Sequence, residues 1–185
     1  MFGVNSLVGF GSRVVSIPAT VHIPSTSGDW SGATGSWTIG TGSVSSPADN
    51  AAMYADFTLE GDFNVSFQVD QEYGTANAVF ATSEVGTFAP AGQGGYGSMT
   101  NSYHHNGNNS DCRYGGDGAT NDAAPITNGD TMRFTRQSGV IKVYVEDVLK
   151  HTYSTSYSDD MYYGVGAGST SCHMTSIELT SNWAG

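Results

Sequence analysis

Between Tyr96 and Tyr114 the chain gathers side chains suited to sugar recognition: Tyr96, Tyr103, His104, His105, Asn106, Asn108, Asn109, Asp111 and Tyr114. Aromatic faces stack on the C–H surface of a sugar ring, and amides, imidazoles and carboxylates bond its hydroxyls. In an extended segment of period two, Met99, Asn101, Tyr103 and His105 share one face. The candidate ligand set is Tyr103, His105, Asn108, Asp111 and Tyr114. A competing reading puts Tyr103 in the core and treats the Asn and Gly residues as loop formers. The residues alone leave both open.

Other chemistry is thinly represented. Retaining glycoside hydrolysis needs two carboxyls about 5 Å apart, and the chain has five glutamates: Glu60, Glu72, Glu84, Glu146 and Glu178. Glu60 and Asp62 flank Gly61, with Asp56 four residues earlier. That spacing fits solvated turn carboxylates, so a non-catalytic protein is expected. Asp117-Gly118 and Asn121-Asp122 offer oxygens of the kind calcium takes, but Asx-turns explain them more simply. No cofactor is expected, with calcium the one ion the loop suits. His104 and His105 are adjacent, so on a strand they face opposite ways and make a poor metal pair. Cys112 and Cys172 lack zinc-site spacing. They are either two free thiols or a bridge from the Gly-rich loop to the last strand.

Charge narrows the partners. The formal net charge is −11, with six Lys and Arg against seventeen Asp and Glu. Binding nucleic acid through its phosphates, or an anionic membrane surface, needs a basic face that this chain lacks. Nor does any stretch approach the roughly 20 apolar residues of a membrane helix. The start, MFGVNSLVGFGSRVV, lacks the cationic opening and unbroken apolar run of a signal peptide.

The elements that must position the candidate site read as strands. Phe63, Val65, Phe67 and Val69 alternate with Asn64, Ser66, Gln68 and Asp70. From Gly129 to Tyr153 the pattern predicts three consecutive antiparallel strands, turning at Ser138-Gly139 and at Glu146-Asp147. Further strands are expected at Trp30–Ile39, 53–59, 76–82, 96–105, 161–165 and 172–179. Residues 106–129 read as one long polar loop. With 25 glycines and no helical spacing beyond about two turns, the expectation is an all-β antiparallel sandwich over residues 28–185. Residues 1–27 read as an extended arm, its apolar Phe2, Val4, Leu7 and Phe10 interrupted by glycines and followed by Pro18 and Pro24.

Three of these segments carry a resemblance. GDFNVSFQVD (61–70), GDTMRFTRQSGVIKVYVEDVLKHTY (129–153) and YYGVGAG (162–168) with its closing strand resemble concanavalin A-like lectin/glucanase domains over residues 30–180. The resemblance implies a jelly-roll sandwich of the kind found in carbohydrate-binding modules, glycoside hydrolases and modules of phage tail fibres and capsids. The ExDxxE strand of the glucanase branch is absent, and Glu146-Asp147 stands where Asn-Gly is usual. Together these predict a non-enzymatic structural or adhesive virion protein with glycan binding, assembled as an oligomer in a particle made in a host cytoplasm. Phe2, Val4, Leu7 and Phe10 would grip other virion proteins. The alternative is a secreted, extracellular carbohydrate-binding module or jelly-roll glycoside hydrolase.

Overall fold

The computed structural model describes residues 17–46, 51–69, 77–84, 101–106, 111–115, 120–122, 129–167 and 172–184. They form strands β1 (Thr20–His22), β2 (Trp30–Thr34), β3 (Thr38–Gly40), β4 (Ser43–Ser46) and β5 (Ala51–Leu59). Next come β6 (Phe63–Val69), β7 (Asn77–Glu84), β8 (Asn101–Asn106), β9 (Asp111–Gly115) and β10 (Thr120–Asp122). The last five are β11 (Thr131–Gln137), β12 (Val140–Val145), β13 (Val148–Ser156), β14 (Met161–Ala167) and β15 (Cys172–Ser181). Two antiparallel sheets result. The eight-stranded one runs β13-β12-β11-β6-β15-β4-β3, with β1 also on β15; the seven-stranded one runs β10-β9-β8-β7-β14-β5-β2. The fold is an antiparallel β-sandwich of the jelly-roll type.

Alternation fixes which residues meet between the layers. Phe63, Val65, Phe67 and Val69 of β6, Met132 and Phe134 of β11, and Ile141 and Val143 of β12 are all buried. Met53, Leu59, Met161, Tyr163 and Val165 face them from the other sheet, also buried. Phe67 joins the layers, its ring centroid 6.5 Å from Phe134 in its own sheet and 5.8 Å from Tyr163 opposite. Each such side chain contributes about 1.5–3 kcal/mol when removed from water.

Both expected hairpin turns form. Ser138 (φ 51) and Gly139 (φ 81) join β11 to β12, and Glu146 (φ 49) and Asp147 (φ 60) join β12 to β13. Two consecutive left-handed residues match the right-handed twist of the flanking strands, which is why Asn-Gly is the usual choice. Glu146 and Asp147 tolerate the conformation with help from β11. Thr131 N–H donates to Glu146 Oε1 at 2.6 Å, Glu146 N–H donates to Thr131 O at 2.9 Å, and Arg133 Nη2 meets Asp147 Oδ1 at 2.9 Å.

Three expectations change. Trp30–Ile39 is not one strand: β2 belongs to the seven-stranded sheet and β3 to the other. The chain crosses at Gly35 (φ 75), where a Cβ would lie 2.7 Å from the Ala51 side chain. The expected loop 106–129 contains β9 and β10, held by backbone pairing rather than by apolar alternation. The expected arm, 1–27, includes β1, whose Thr20, Val21 and His22 pair with Ser181, Thr180 and Leu179. Among the described residues the sandwich therefore already includes Thr20–His22. Phe2, Val4, Leu7 and Phe10 lie outside the described residues.

One end of the sandwich is fastened by a buried cation. Arg136 continues the inward row of Met132 and Phe134 and is only 2 % exposed. Its Nε donates to Gly61 O at 2.6 Å, Nη2 donates to the same carbonyl, and Nη1 donates to Asp159 O. The guanidinium also lies 4.9 Å above the Phe63 ring. Gly61 sits between β5 and β6, and Asp159 between β13 and β14. One side chain thus holds two chain crossings between the sheets. Burial lowers the guanidinium pKa, against the opposing charges of Asp62, Asp160 and Asp159. Around it Ser138 N–H donates to Asp62 Oδ1 at 2.8 Å, and Trp183 N–H donates to Asp62 O at 2.8 Å.

Strand order also bears on the cysteines. Cys112 lies in β9 and Cys172 opens β15 in the other sheet. Across the layers β15 approaches β5 and β7, and β9 stands two strands beyond β7. The two cysteines therefore belong to different sheets.

Candidate functional site

The register separates the residues picked out by sequence. Tyr103 stands opposite Tyr114 on β9 and opposite Phe80 on β7, and Phe80 stands opposite Val165 on β14. Cross-strand partners share a side of the sheet. The register row Met53–Val165–Phe80–Tyr103–Tyr114 thus begins at Met53 and Val165, which have no exposed surface. His105, opposite Cys112, belongs to the same alternation. Asp111, opposite Asn106, falls in the other one. Asn108 lies outside the described residues. Of the calcium-type oxygens, Asn121 and Asp122 are in β10, while Asp117 and Gly118 are outside the described residues.

The other side of the seven-stranded sheet carries a different set. One row is Tyr54–Gly164–Ala81–Ser102–Gly115, and the next is Ala52–Gly166–Val79–His104–Arg113–Asn121. Beside them Tyr162 stands opposite Thr58 and Ser83. Tyr54 and Tyr162 are half-buried, with ring centroids 5.5 Å apart and planes tilted by 56°. Gly32 lies beneath the Tyr54 ring at φ 63, and a Cβ there would come within 2.7 Å of a ring carbon. The glycine is what lets the ring lie against β2.

This side thus has an aromatic part at Tyr54 and Tyr162, beside the buried small residues Ala52, Gly164 and Gly166. Flat aromatic area with convergent hydrogen-bonding groups is the composition of a carbohydrate site. Sequence reading passed over Tyr54 and Tyr162 as members of one face. A signal for Tyr162 was present: in Tyr162-Tyr163 one ring must face out if the other faces in, and Tyr163 is 1 % exposed.

The carboxylates with described partners have structural duties. Asp29 accepts the N–H groups of Ser25 and Thr26, both at 2.8 Å. Asp56 accepts Ser31 Oγ at 2.7 Å, on β2 beside it. Asp62, Glu146 and Asp147 hold turns and hairpins, as above. Among the described residues no group of three or more His, Cys, Asp or Glu could hold a metal ion.

The fold has carbohydrate-binding neighbours. The carbohydrate-binding module CBM66 from Bacillus subtilis matches 81 % of this chain and 94 % of its own at a TM-score of 0.57 and 14 % identity. The VIP36 exoplasmic/lumenal domain, in its Ca2+/Man3GlcNAc-bound form, matches 89 % of each chain at 0.57 and 13 % identity. Crh5 transglycosylase, in complex with NAG, matches 92 % of this chain and 86 % of its own at 0.57 and 9 % identity. No family model matches the chain, and no curated protein is similar to it. At these identities the likeness is one of fold: a lectin-like jelly roll.

Proposed function

We propose that this protein is a non-enzymatic, adhesive glycan-binding module whose binding face is the side of the seven-stranded sheet bearing Tyr54 and Tyr162. The observation that carries the reading is the pair of half-buried tyrosine rings, 5.5 Å apart, beside a row of small residues. A ring pair of this kind offers a stacking platform at the β5–β14 part of the sheet. Supporting it, the two binding neighbours of the same fold are covered almost end to end. The engagement of Asp29, Asp56 and Asp62 as backbone and hydroxyl acceptors supports a non-catalytic role.

The test is affinity electrophoresis of the full chain against a polysaccharide panel. Tyr54→Ala and Tyr162→Ala should each weaken retention about tenfold, which is roughly 1.4 kcal/mol, while the urea midpoint changes little. No retention by any polysaccharide would overturn the proposal.

The finer reading is a virion component, attached through the segment before β1 and assembled as an oligomer in the particle. Ile17, Val21 and Ile23 support it, since they are 67 %, 56 % and 48 % exposed where that segment enters the sandwich. Removing residues 1–16 should abolish incorporation into particles yet leave glycan retention intact; unchanged incorporation would sink the idea. A second reading, a secreted carbohydrate-binding module or glycoside hydrolase, is favoured by the near-complete coverage of CBM66. Release of reducing ends from a retained polysaccharide would decide for the hydrolase.

A further inference from the structure

β5 is irregular where it carries the ring platform. Its Tyr54 stands opposite Gly164 and its Thr58 opposite Tyr162, so between those pairings β5 has Ala55, Asp56 and Phe57 against only Tyr163 of β14. A bulge of this kind bends the strand and re-aims its side chains. Trp30 and Ala55, opposite each other on β2 and β5, are buried in the core, which turns Ser31 and Asp56 to the outward side. Asp56 is exposed there, and Tyr54, Thr58 and Tyr162 around it are half-buried. Gly32 and Ala33, next along β2, are exposed too, so this end of the sheet side stands open. Ser31 donates its hydroxyl to Asp56 Oδ2 at 2.7 Å. An ionised carboxylate has about four lone-pair sites, so one such bond fixes its aim and leaves acceptor capacity at the surface.

We infer that Asp56 recognises an ammonium group beside the Tyr54–Tyr162 platform, making a polysaccharide of amino sugars with free, protonated amines the preferred ligand class of this face. The inference rests on the glycan-binding reading above. A carboxylate–ammonium contact is charge-assisted and roughly twice as strong as a neutral hydrogen bond. The rings act in the same direction: an aromatic face takes the C–H surface of a sugar and attracts a cation within about 6 Å of its centroid. A uronic acid would instead set its carboxylate against that of Asp56. No Lys or Arg occurs in β2, β5, β7 or β14 to receive an anionic substituent. The net charge of −11 draws any polycation toward the molecule. That field is screened over about 8 Å at physiological salt, so discrimination among polycations falls to the contact at Asp56.

The full chain is compared in gels containing glycol chitosan, glycol chitin (the same polymer with its amines acetylated), dextran or poly-L-lysine. Glycol chitosan should retain it about tenfold more strongly than any of the others. Asp56→Asn, which keeps an acceptor for Ser31 but not the charge, should cut that retention about tenfold and leave retention by glycol chitin unchanged. Ser31→Ala, which releases the carboxylate from its hydroxyl, should cut it about threefold. Asp147→Asn removes the same charge from the β12–β13 hairpin of the opposite sheet and should leave retention unchanged. Equal losses in Asp56→Asn and Asp147→Asn would reduce the effect to net charge and overturn the inference. Equal retention by poly-L-lysine would overturn it too, because a sugar would not be needed. Retention by glycol chitin or dextran as strong as by glycol chitosan would overturn the amino-sugar assignment while sparing the glycan-binding reading, whereas no retention by any polysaccharide would remove both.

Discussion

β6, β11 and β12 of the eight-stranded sheet and β8, β9 and β10 of the seven-stranded sheet are built on opposite principles. In the first group every second residue is a side chain in the core, apolar in every case but Arg136, as in Phe63, Val65, Phe67 and Val69. In the second, both alternations hold polar residues: Asn101, Tyr103 and His105 in one, Ser102, His104 and Asn106 in the other. The first group is specified by burial, which fixes register strongly because a one-residue slip would expose the whole apolar set. The second borrows its register from neighbours, β8 from β7 and β7 from β14. Strands freed from filling the core on both sides can carry chemistry.

The sharpest way to break that comparison is at the clamp on the apolar side. Arg136→Met should cost about 3 kcal/mol, because the carbonyls of Gly61 and Asp159 would be left buried without a donor. Arg136→Lys should cost nearly as much, since an ammonium lacks the fork that reaches two carbonyls on separate chain crossings. Urea unfolding measures both. A loss below about 1 kcal/mol for either variant would mean the two crossings hold without it.

The next test sets the two alternations of β8 and β9 against each other. Tyr103→Ala, in the row that continues from Val165, should lower stability by about 2–4 kcal/mol. Arg113→Ala, in the other alternation of β9, should change stability by less than about 0.5 kcal/mol. If Tyr103→Ala were neutral for folding but abolished retention, the assignment of sides would be reversed.

How much of this was legible beforehand follows the same division. Alternation exposed β6, β11, β12 and β13 from residue types alone, and it placed Arg136 in line with Met132 and Phe134. It did not reveal what Arg136 does, because Gly61 lies 75 residues away and Asp159 lies 23. β9 and β10 were hidden in an expected loop, since DCRYG and TND carry no apolar period. Trp30–Ile39 looked continuous because a crossing between layers at Gly35 leaves local alternation nearly intact. The candidate site suffered most. Tyr103 and Tyr114 stood out as aromatic residues in polar company, yet only the ladder to Phe80 and Val165 shows which side of the sheet they share. Tyr54 and Tyr162 are far apart in the chain and meet only through the β5–β14 pairing.

The hairpin between β12 and β13 gives a smaller, stabilising test. Glu146 and Asp147 both hold left-handed backbone at a cost of about 1 kcal/mol each for a non-glycine residue. Asp147 is 88 % exposed, so its ion pair with Arg133 returns only a few tenths of a kcal/mol. Asp147→Gly should therefore stabilise the protein by about 0.5–1 kcal/mol, read as a higher urea midpoint. Glu146→Gly should gain less, because it also removes the acceptor for Thr131 N–H. If the two substitutions ranked the other way, the carboxylate contacts and not the backbone would govern this turn.

The smallest effect concerns the entry to the sandwich, where Asp29 ties the segment after β1 to the start of β2. Hydrogen bonds from the Ser25 and Thr26 backbone hold its carboxyl below the ordinary carboxylate range, with a lesser contribution from the His22 charge. His22 is stacked on Phe57 at 4.8 Å, so β1 on one sheet is linked through this corner to β5 on the other. For a depressed carboxyl pKa the stabilisation is complete above the unfolded value, about 3.9, and fades as pH falls through the folded value. Wild type should therefore lose protection of the β1 amides, followed by hydrogen exchange, as pH drops below about 4. Asp29→Asn should show weaker protection at neutral pH and little further loss in acid. Identical acid profiles for the two proteins would move control of this corner from the carboxylate to the His22–Phe57 stack.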